Sequence, residues 1–436
     1  MRHCVSNKNE RTSNREAGGA LLAALILVVI SGIMGATILF ATSTDLQISG
    51  NYRRAVQSLY AAEAGLAETQ RRLAGVPVVH PWYVGDPSPA PQSNWSAYVL
   101  TTANWQPGQD ATYSTALTNY VPTNGNLTNS LIHSNSIQTT LSYWAKVQHK
   151  TEYDAEQAGH SLVVPHYVDG DGLVTRHTKT NRGQLIRLGY PESSSLQPAQ
   201  FSSSTPSLYP PVEIVWSQGE VEGAVSVIQA DVAHQPGPPI WAPVYVGHHL
   251  GLLGGSITIQ GQDACGLLPG GRPPVSFAPG ATMTGTATLT GNPAVPQVGL
   301  TALDISRHLE NLKIGGQPIS GDLTAVTLGS PGAPTVQIAE PPGGGLQTLT
   351  NVTGYGLLLV NGSLRIYPPF HWDGMIIVTG QATIESGLSP VLIRGAVLAD
   401  TFQILNNTVT ISLDTCPIAA TLPLLPLKIL NWRQVL

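Results

Sequence analysis

Few side chains in this 436-residue chain stand at spacings that support chemistry. Asp169-Gly170-Asp171-Gly172 comes nearest, because short-spaced carboxylates can converge on one hard cation. It lacks a third Asp or Asn and a distal glutamate at loop spacing, so Asp169 and Asp171 read more simply as part of a hairpin turn. His248-His249 offers two imidazoles, but neighbours on a strand point to opposite faces and no Cys or carboxylate cluster stands beside them. Asp373, Glu385, Asp400 and Asp414 are scattered and share no repeat register, so they propose no acid and base pair. The chain therefore reads as non-enzymatic, with no catalytic residue, metal or cofactor assigned. Two other features carry more. Gly18-Gly19 ends a polar leader directly before an apolar segment, and glycine tolerates the extended backbone a protease needs. Glu63 sits among Ala61, Ala62, Ala64, Gly65 and Leu66, with no basic residue three or four positions away.

Both features belong to one element. Residues 18–73 run from the glycine pair through an uncharged span into an amphipathic stretch without a helix breaker, which predicts one long helix over 19–75, ended by Gly75 and Pro77. Its most apolar part, residues 20–40, covers roughly 32 Å at 1.5 Å per residue, enough to cross a bilayer core of about 30 Å. The transmembrane half is taken as residues 20–41. Arg2, Lys8, Arg11 and Arg15 precede it and Asp45 follows, so the N-terminus stays cytoplasmic and the rest is exported. A cleaved secretory signal is the alternative, but its apolar core is shorter, and helix-compatible sequence continues here well beyond the span.

In the outer half, Leu59, Ala62, Leu66 and Leu73 share a face, while Arg53, Arg54, Gln57, Glu68 and Arg71 fall on the others. The small residues around Glu63 would let another backbone approach closely. Glu63 itself is either solvated or bonded to the exported sheet or a neighbouring subunit.

The short basic leader, the entry Gly19-Ala20-Leu21, then Ser49-Gly50-Asn51-Tyr52-Arg53 and residues 61–66 (AAEAGL) together resemble the PilX-like minor pilins of type IV pilus systems. That family is related to the GspK-type pseudopilins of type II secretion. The resemblance covers about 60 of the 436 residues. It implies a leader removed by prepilin peptidase after Gly18 or Gly19, and contacts through the helix with other minor pilins, the major pilin and an inner-membrane assembly platform. It also implies residence in the inner membrane before assembly, then at the pilus tip or cell surface beside a large tip adhesin. Major pilins of the family carry a glutamate at the fifth mature position, which offsets a neighbour's N-terminal amine. Here that position is Ala23, or Ala24 for the later cut. An unpaired ammonium in an apolar bundle is costly, so a subunit lacking the carboxylate suits the filament tip. The implied function is a minor subunit that initiates or caps a filament. A secretion pseudopilin, or a membrane-anchored module that binds a surface or glycan, are the alternatives.

Composition fits an exported, low-charge protein. Only 11% of residues are charged, while 45 Gly and 34 Pro point to turn-rich β structure, and a net charge of -5 leaves no basic face for nucleic acid. Cys4 lies in the leader. Cys265 and Cys416 remain, an even number in a disulfide-permissive compartment, and are read as a bridge or as two buried thiols.

The expected fold class is α+β. Residues 1–18 form the cytoplasmic leader and 19–75 the helix. Residues 76–245 form a pilin-like α+β region with a loop-rich insertion, where Trp82, Trp95 and Trp105 are hydrophobic anchors or a glycan-binding surface. Within it, residues 142–147, 184–188, 212–216 and 224–228 alternate as strands of an antiparallel sheet. Residues 246–416 are Gly-rich. There, 357–366, 375–384 and 396–405 superpose without gaps at steps of 18 and 21 residues, which suggests stacked β-solenoid coils, with a β-sandwich as the alternative. The apolar tail, residues 417–436, contains prolines at 423 and 426 and is expected to lie extended, as a cap on the solenoid end or as a docking segment for a tip partner.

Overall fold

The computed structural model describes residues 13–73, 96–100, 141–157, 167–168, 177–178, 182–183, 185–189, 209–268, 270–299 and 301–435. Asp169, Asp171, Cys4 and the three tryptophans of the loop-rich insertion lie outside them. Helix α1 is Ser13–Leu73, followed by strands β1 Ser96–Leu100 and β2 Leu141–His149, helix α2 Glu152–Gln157, and strands β3 Tyr167–Val168, β4 Arg187–Leu188, β5 Glu213–Val221 and β6 Ala224–His234. The next strands are β7 Val244–Gln260, β8 Val275–Phe277, β9 Thr282–Gly285, β10 Thr288–Thr290 and β11 Gln297–Val298; helix α3 Ile305–Leu312 follows. Then come β12 Gln317–Ile319, β13 Leu323–Thr324, β14 Thr327–Leu328, β15 Thr335–Ala339, β16 Leu346–Val360, β17 Ser363–Ile384 and β18 Val391–Ser412, before helix α4 Thr415–Thr421 and strand β19 Leu427–Val435.

No proline interrupts residues 13–73, and α1 runs unbroken for 61 residues. It begins six residues before Gly19, so the glycine pair is helical. The expectation of a helix that starts at Gly19 is corrected to this extent. Its outer half packs on an antiparallel sheet of order β1-β2-β5-β6-β19. The expected alternation explains the contact: Ala145 and Val147 of β2, Val215 of β5, and Ile228, Ala230 and Val232 of β6 meet Ala62, Leu66 and Leu73 of α1 in one buried cluster.

The last strand of that sheet is the C-terminal tail. Leu427 stands opposite His234 and Val435 opposite Val227, so β19 is an antiparallel edge strand beside β6. The expected cap is corrected to this extent: Ile418, Leu422 and Leu425 pack on the parallel region, but residues 427–435 leave it and join the small sheet. The prolines do shape the segment: α4 and a single 3-10 turn at Leu422–Leu424 precede the strand. Everything between β6 and β19 is thus an insertion into the small sheet. Its two connections lie side by side, since the Gln235 amide donates to Pro426 O (2.8 Å) and His234 Nδ1 lies 2.7 Å from Leu425 O.

The insertion is built on a 12-stranded sheet whose central order is β11-β8-β7-β18-β17-β16-β15-β12, with every pairing parallel. Neither multi-stranded sheet closes on itself among the described residues. The gapless steps seen in sequence are the register: Leu357, Met375 and Ala396 align across three strands, as do Val360, Val378 and Ala399. Parallel neighbours ordinarily need a crossover of a dozen or more residues. Here β16 and β17 are separated only by Asn361 and Gly362, so the chain must turn back within its own long strands. Gly356, Gly374 and Gly395 stack at one such bend, each with φ between 129° and 142°. A Cβ on Gly374 or Gly395 would strike the carbonyl oxygen of the glycine one strand away.

The runs LLLV, MIIV and AVLA are apolar throughout because both faces are covered. Leu358, Val360, Ile376, Val378, Val397 and Ala399 enter the larger cluster, with Phe370 stacked on Trp372. Their neighbours Leu357, Leu359, Met375, Ile377, Ala396 and Leu398 face outward and are covered by Ile305, Leu309 and Leu312 of α3 and by Ile418 of α4.

Candidate functional site

The inner half of α1 is the least protein-like surface of the molecule. From Gly19 to Ile48 every residue is exposed, including Leu39 and Phe40, and this helix alone among the described residues is long and apolar enough to cross a membrane. A water-facing patch of that extent would be costly. The few polar side chains near its end are satisfied within the helix: Thr37 donates to Ile33 O (2.9 Å), Thr42 to Ile38 O (2.7 Å) and Thr44 to Phe40 O (2.8 Å). Ala23 is exposed on this half and brings no charge.

The outer half explains its small residues. Ala61, Ala62, Gly65 and Leu66 are buried and Ala64 is half-buried. The backbone they admit is the chain's own sheet, where the sequence left a partner subunit open. A Cβ on Gly65 would stand 2.8 Å from Tyr143 Cδ2 and would also meet Ser217 Oγ. On the strand side, a Cβ on Gly219 would meet Ser58 O and the Ala62 amide nitrogen. Hydroxyls stitch the seam: Ser217 Oγ donates to Ala62 O (2.7 Å), and Ser58 Oγ and Ser226 Oγ lie 2.7 Å apart.

Glu63 is exposed, on the side of α1 turned from the sheet, and makes no ion pair among the described residues. The buried carboxylate is Glu68, which the sequence reading put on an outer face. Arg72 grips it through Nε (2.8 Å) and Nη2 (2.6 Å), and the Tyr143 hydroxyl donates to its other oxygen. The i, i+4 spacing of Glu68 and Arg72 was visible in sequence; that Tyr143 lies across from it was not. Three further buried pairs among the described residues were missed, His149 with Glu213 (2.8 Å), Lys150 with Asp231 (2.6 Å) and His177 with Glu152 (3.1 Å).

Cys265 and Cys416 form a disulfide with Cα atoms 5.3 Å apart. Asp263 organises the site: it accepts from the amides of Leu268 (2.8 Å) and Thr415 (3.0 Å) and from the Thr415 hydroxyl (2.7 Å). Asp414 caps α4 by accepting from the Cys416 amide (3.1 Å), and partial burial raises its carboxyl pKa. Asp414 and the two sulfurs lie close enough to hold an ion, but the thiols are consumed in the bridge. The remaining acids are not brought together: Asp400 pairs with His248, Glu385 with Arg365 (3.0 Å) and Asp373 with His371 (2.9 Å). His249 turns away from His248, toward Thr282 (2.9 Å).

No protein-family profile matches the chain, and no curated protein matches it in sequence. Among solved structures, the crystal structure of the competence-associated pilin ComZ from Thermus thermophilus aligns with 88% of this chain and 98% of its own, at 11% identity and a TM-score of 0.22. A score of that size does not establish a shared topology.

Proposed function

We propose that this chain is a minor, tip-associated pilin-like subunit that initiates or caps a type IV pilus, held in the inner membrane by α1 before assembly and carried to the cell surface afterwards. The observation that supports the reading is the division of α1: a bare apolar half of membrane-spanning length, continuous with a half locked onto an antiparallel sheet. Such a helix can leave the bilayer and enter a helical bundle without its own domain unfolding. Ala23 and Ala24 offer no carboxylate to a subunit above, which fits a terminal position. Other minor pilins and the major pilin would pack on the bare half, and Glu63, exposed beside it, is free to meet one of them. The parallel region is read as a β-solenoid, supported by its in-register stacking and two-residue connection, and it would project from the tip beside a large adhesin.

Leader removal tests the reading. N-terminal sequencing of protein extracted from membranes of cells with prepilin peptidase should begin at Gly19 or Ala20, and in cells lacking the peptidase at Met1. A start at Met1 in both, or beyond Thr44, overturns it.

A further inference from the structure

The face of the antiparallel sheet turned away from α1 carries a cavity of about 320 Å³, within the range of small-molecule sites. We propose that it binds a neutral saccharide of one or two sugar units. The cavity follows from strand register. Tyr143, Ala145 and Val147 of β2 point toward α1, so Gln148 points the other way, and the same alternation turns Ile214 and Trp216 of β5, Gln229 and Asp231 of β6, and Asn431 and Arg433 of β19 to that face. Gln148, Ile214, Asp231 and Asn431 stand opposite one another in one row across four strands. Trp216, Gln229 and Arg433 form the next. Helix α2 supplies one wall through Tyr153, Asp154 and Gln157, and Lys150 closes the corner between helix and sheet.

The chemistry of the lining selects the ligand class. Its charged groups are two acids and two bases, each already engaged: Lys150 Nζ holds Asp231 at 2.6 Å, Arg433 donates to Gln229 Oε1 at 2.8 Å, and Arg182 from outside the cavity holds Asp154. The formal charges cancel, which gives a phosphate or an acidic peptide no net field to follow. Three carboxamides remain, Gln148, Gln157 and Asn431, each able to donate and accept at once, as sugar hydroxyls require, while Gln229 keeps its amide NH2 as a donor. Trp216 adds the apolar surface against which the C–H face of a pyranose can lie, with Ile214 buried in the floor and Tyr153, whose ring also carries Arg182 at 5.5 Å, in the wall. An ordinary solvated sheet face would carry Lys, Glu and Thr with no cavity.

This assignment does not rest on the assembly role: leader processing and sugar binding are read in separate assays, and either can fail alone. The test uses the full chain in a polyoxyethylene detergent, because maltoside detergents would compete. Maltose, cellobiose, lactose and N,N′-diacetylchitobiose are titrated by calorimetry and by saturation-transfer NMR, with glucose 6-phosphate as the charged comparator. At least one neutral disaccharide should saturate with a Kd of about 1 mM or tighter. Asn431→Ala and Gln148→Ala, at solvent-reached positions where folding is not at risk, should each weaken it about tenfold or more, and Trp216→Ala should abolish it. No saturation by any of the four sugars up to about 10 mM overturns the proposal. So does equal or tighter binding of glucose 6-phosphate, or binding untouched by both amide variants.

Discussion

Gly219→Ala should loosen α1 from the sheet, although it adds only a methyl group and the native φ needs no glycine. Its Cβ would fall on the intrahelical hydrogen bond between Ser58 O and the Ala62 amide, and 2.7 Å from Ala61 Cβ. Those backbone atoms cannot rotate aside, because each is fixed in the α1 ladder. The helix must instead retreat by about 0.8 Å to restore a carbon contact of about 3.5 Å. That displacement stretches the two hydroxyl bonds flanking the contact, Ser217 to Ala62 and Ser58 to Ser226, both now 2.7 Å, to about 3.5 Å, where little hydrogen bonding remains. Overpacking costs about 1–3 kcal/mol and each lost bond about 1 kcal/mol, so the total is about 3–5 kcal/mol. At roughly 2–4 °C per kcal/mol for a unit of this size, the sheet's melting temperature should fall by about 10 °C. Near-ultraviolet circular dichroism follows it, because Trp144 and Trp216 lie on strands under the helix. Gly50→Ala is the control: it lies on the same helix with nothing within 4 Å, and should be neutral or slightly stabilising. If Gly219→Ala melts within about 2 °C of the parent, the close backbone approach is not what holds α1.

Two further outcomes follow from buried charge. Arg72→Met should cost about 3–5 kcal/mol, because it strands Glu68 almost out of solvent; adding Glu68→Gln, which keeps an acceptor for Tyr143, should recover most of the loss in the same melts. His308 on α3 has its pKa lowered from 6.5 to about 4 by burial. The unfolded chain therefore binds the proton first, so His308's contribution to stability is present above about pH 6.5 and is lost as pH falls toward 4, up to about 3 kcal/mol. Chemical-denaturation midpoints measured from pH 7 to pH 4 should fall less steeply in His308→Gln.

How much of this was legible depended on the range of the interaction. The α1 face of Ala62, Leu66 and Leu73 and the parallel register of residues 357–360, 375–378 and 396–399 were readable, because both are periodic patterns within short windows. The burial of Glu68 was not, since a charge on a helix looks solvated until the sheet places Tyr143 over it. Gly65, against Ser217 and Tyr143, and Gly219, against Ser58 and Ala62, lie on the two sides of the same seam but are far apart in the chain, so the occupant of the small-residue stretch stayed undecided. The saccharide cavity needs the register of four strands, and one of those is β19. That strand was the hardest to place: Ile429 and Trp432 are half exposed, so no alternation marks it, and its partner β6 lies on the other side of the whole parallel region.

The position of β19 makes a final outcome testable. Because Leu427 stands directly opposite His234, the strands flanking the insertion are already placed as the two arms of a hairpin. Replacing residues 235–426 by Asn-Gly would join them through a two-residue turn whose twist suits an antiparallel pair. What the small sheet loses is limited. Tyr209 gives up its cover from Ile240, Leu268, Ile418 and Leu422, Lys428 gives up a 3.1 Å bond to Asn311, and His234 Nδ1 gives up its 2.7 Å contact with Leu425 O. Exposing Tyr209 costs about 1.5–3 kcal/mol, less than the whole stability of a typical domain. Among the described residues, the cluster between α1 and the sheet and the Lys150–Asp231 and Glu68–Arg72 pairs are built without the insertion. The shortened chain should therefore fold, melt in one transition and remain sensitive to Gly219→Ala by the same margin as the full chain. Aggregation of the shortened chain, with an intact transition in a version that also carries Tyr209→Ser, would assign the failure to that one exposed ring. Failure of both versions would mean that the parallel region is needed to hold β19 at the edge, and that the two sheets are one folding unit.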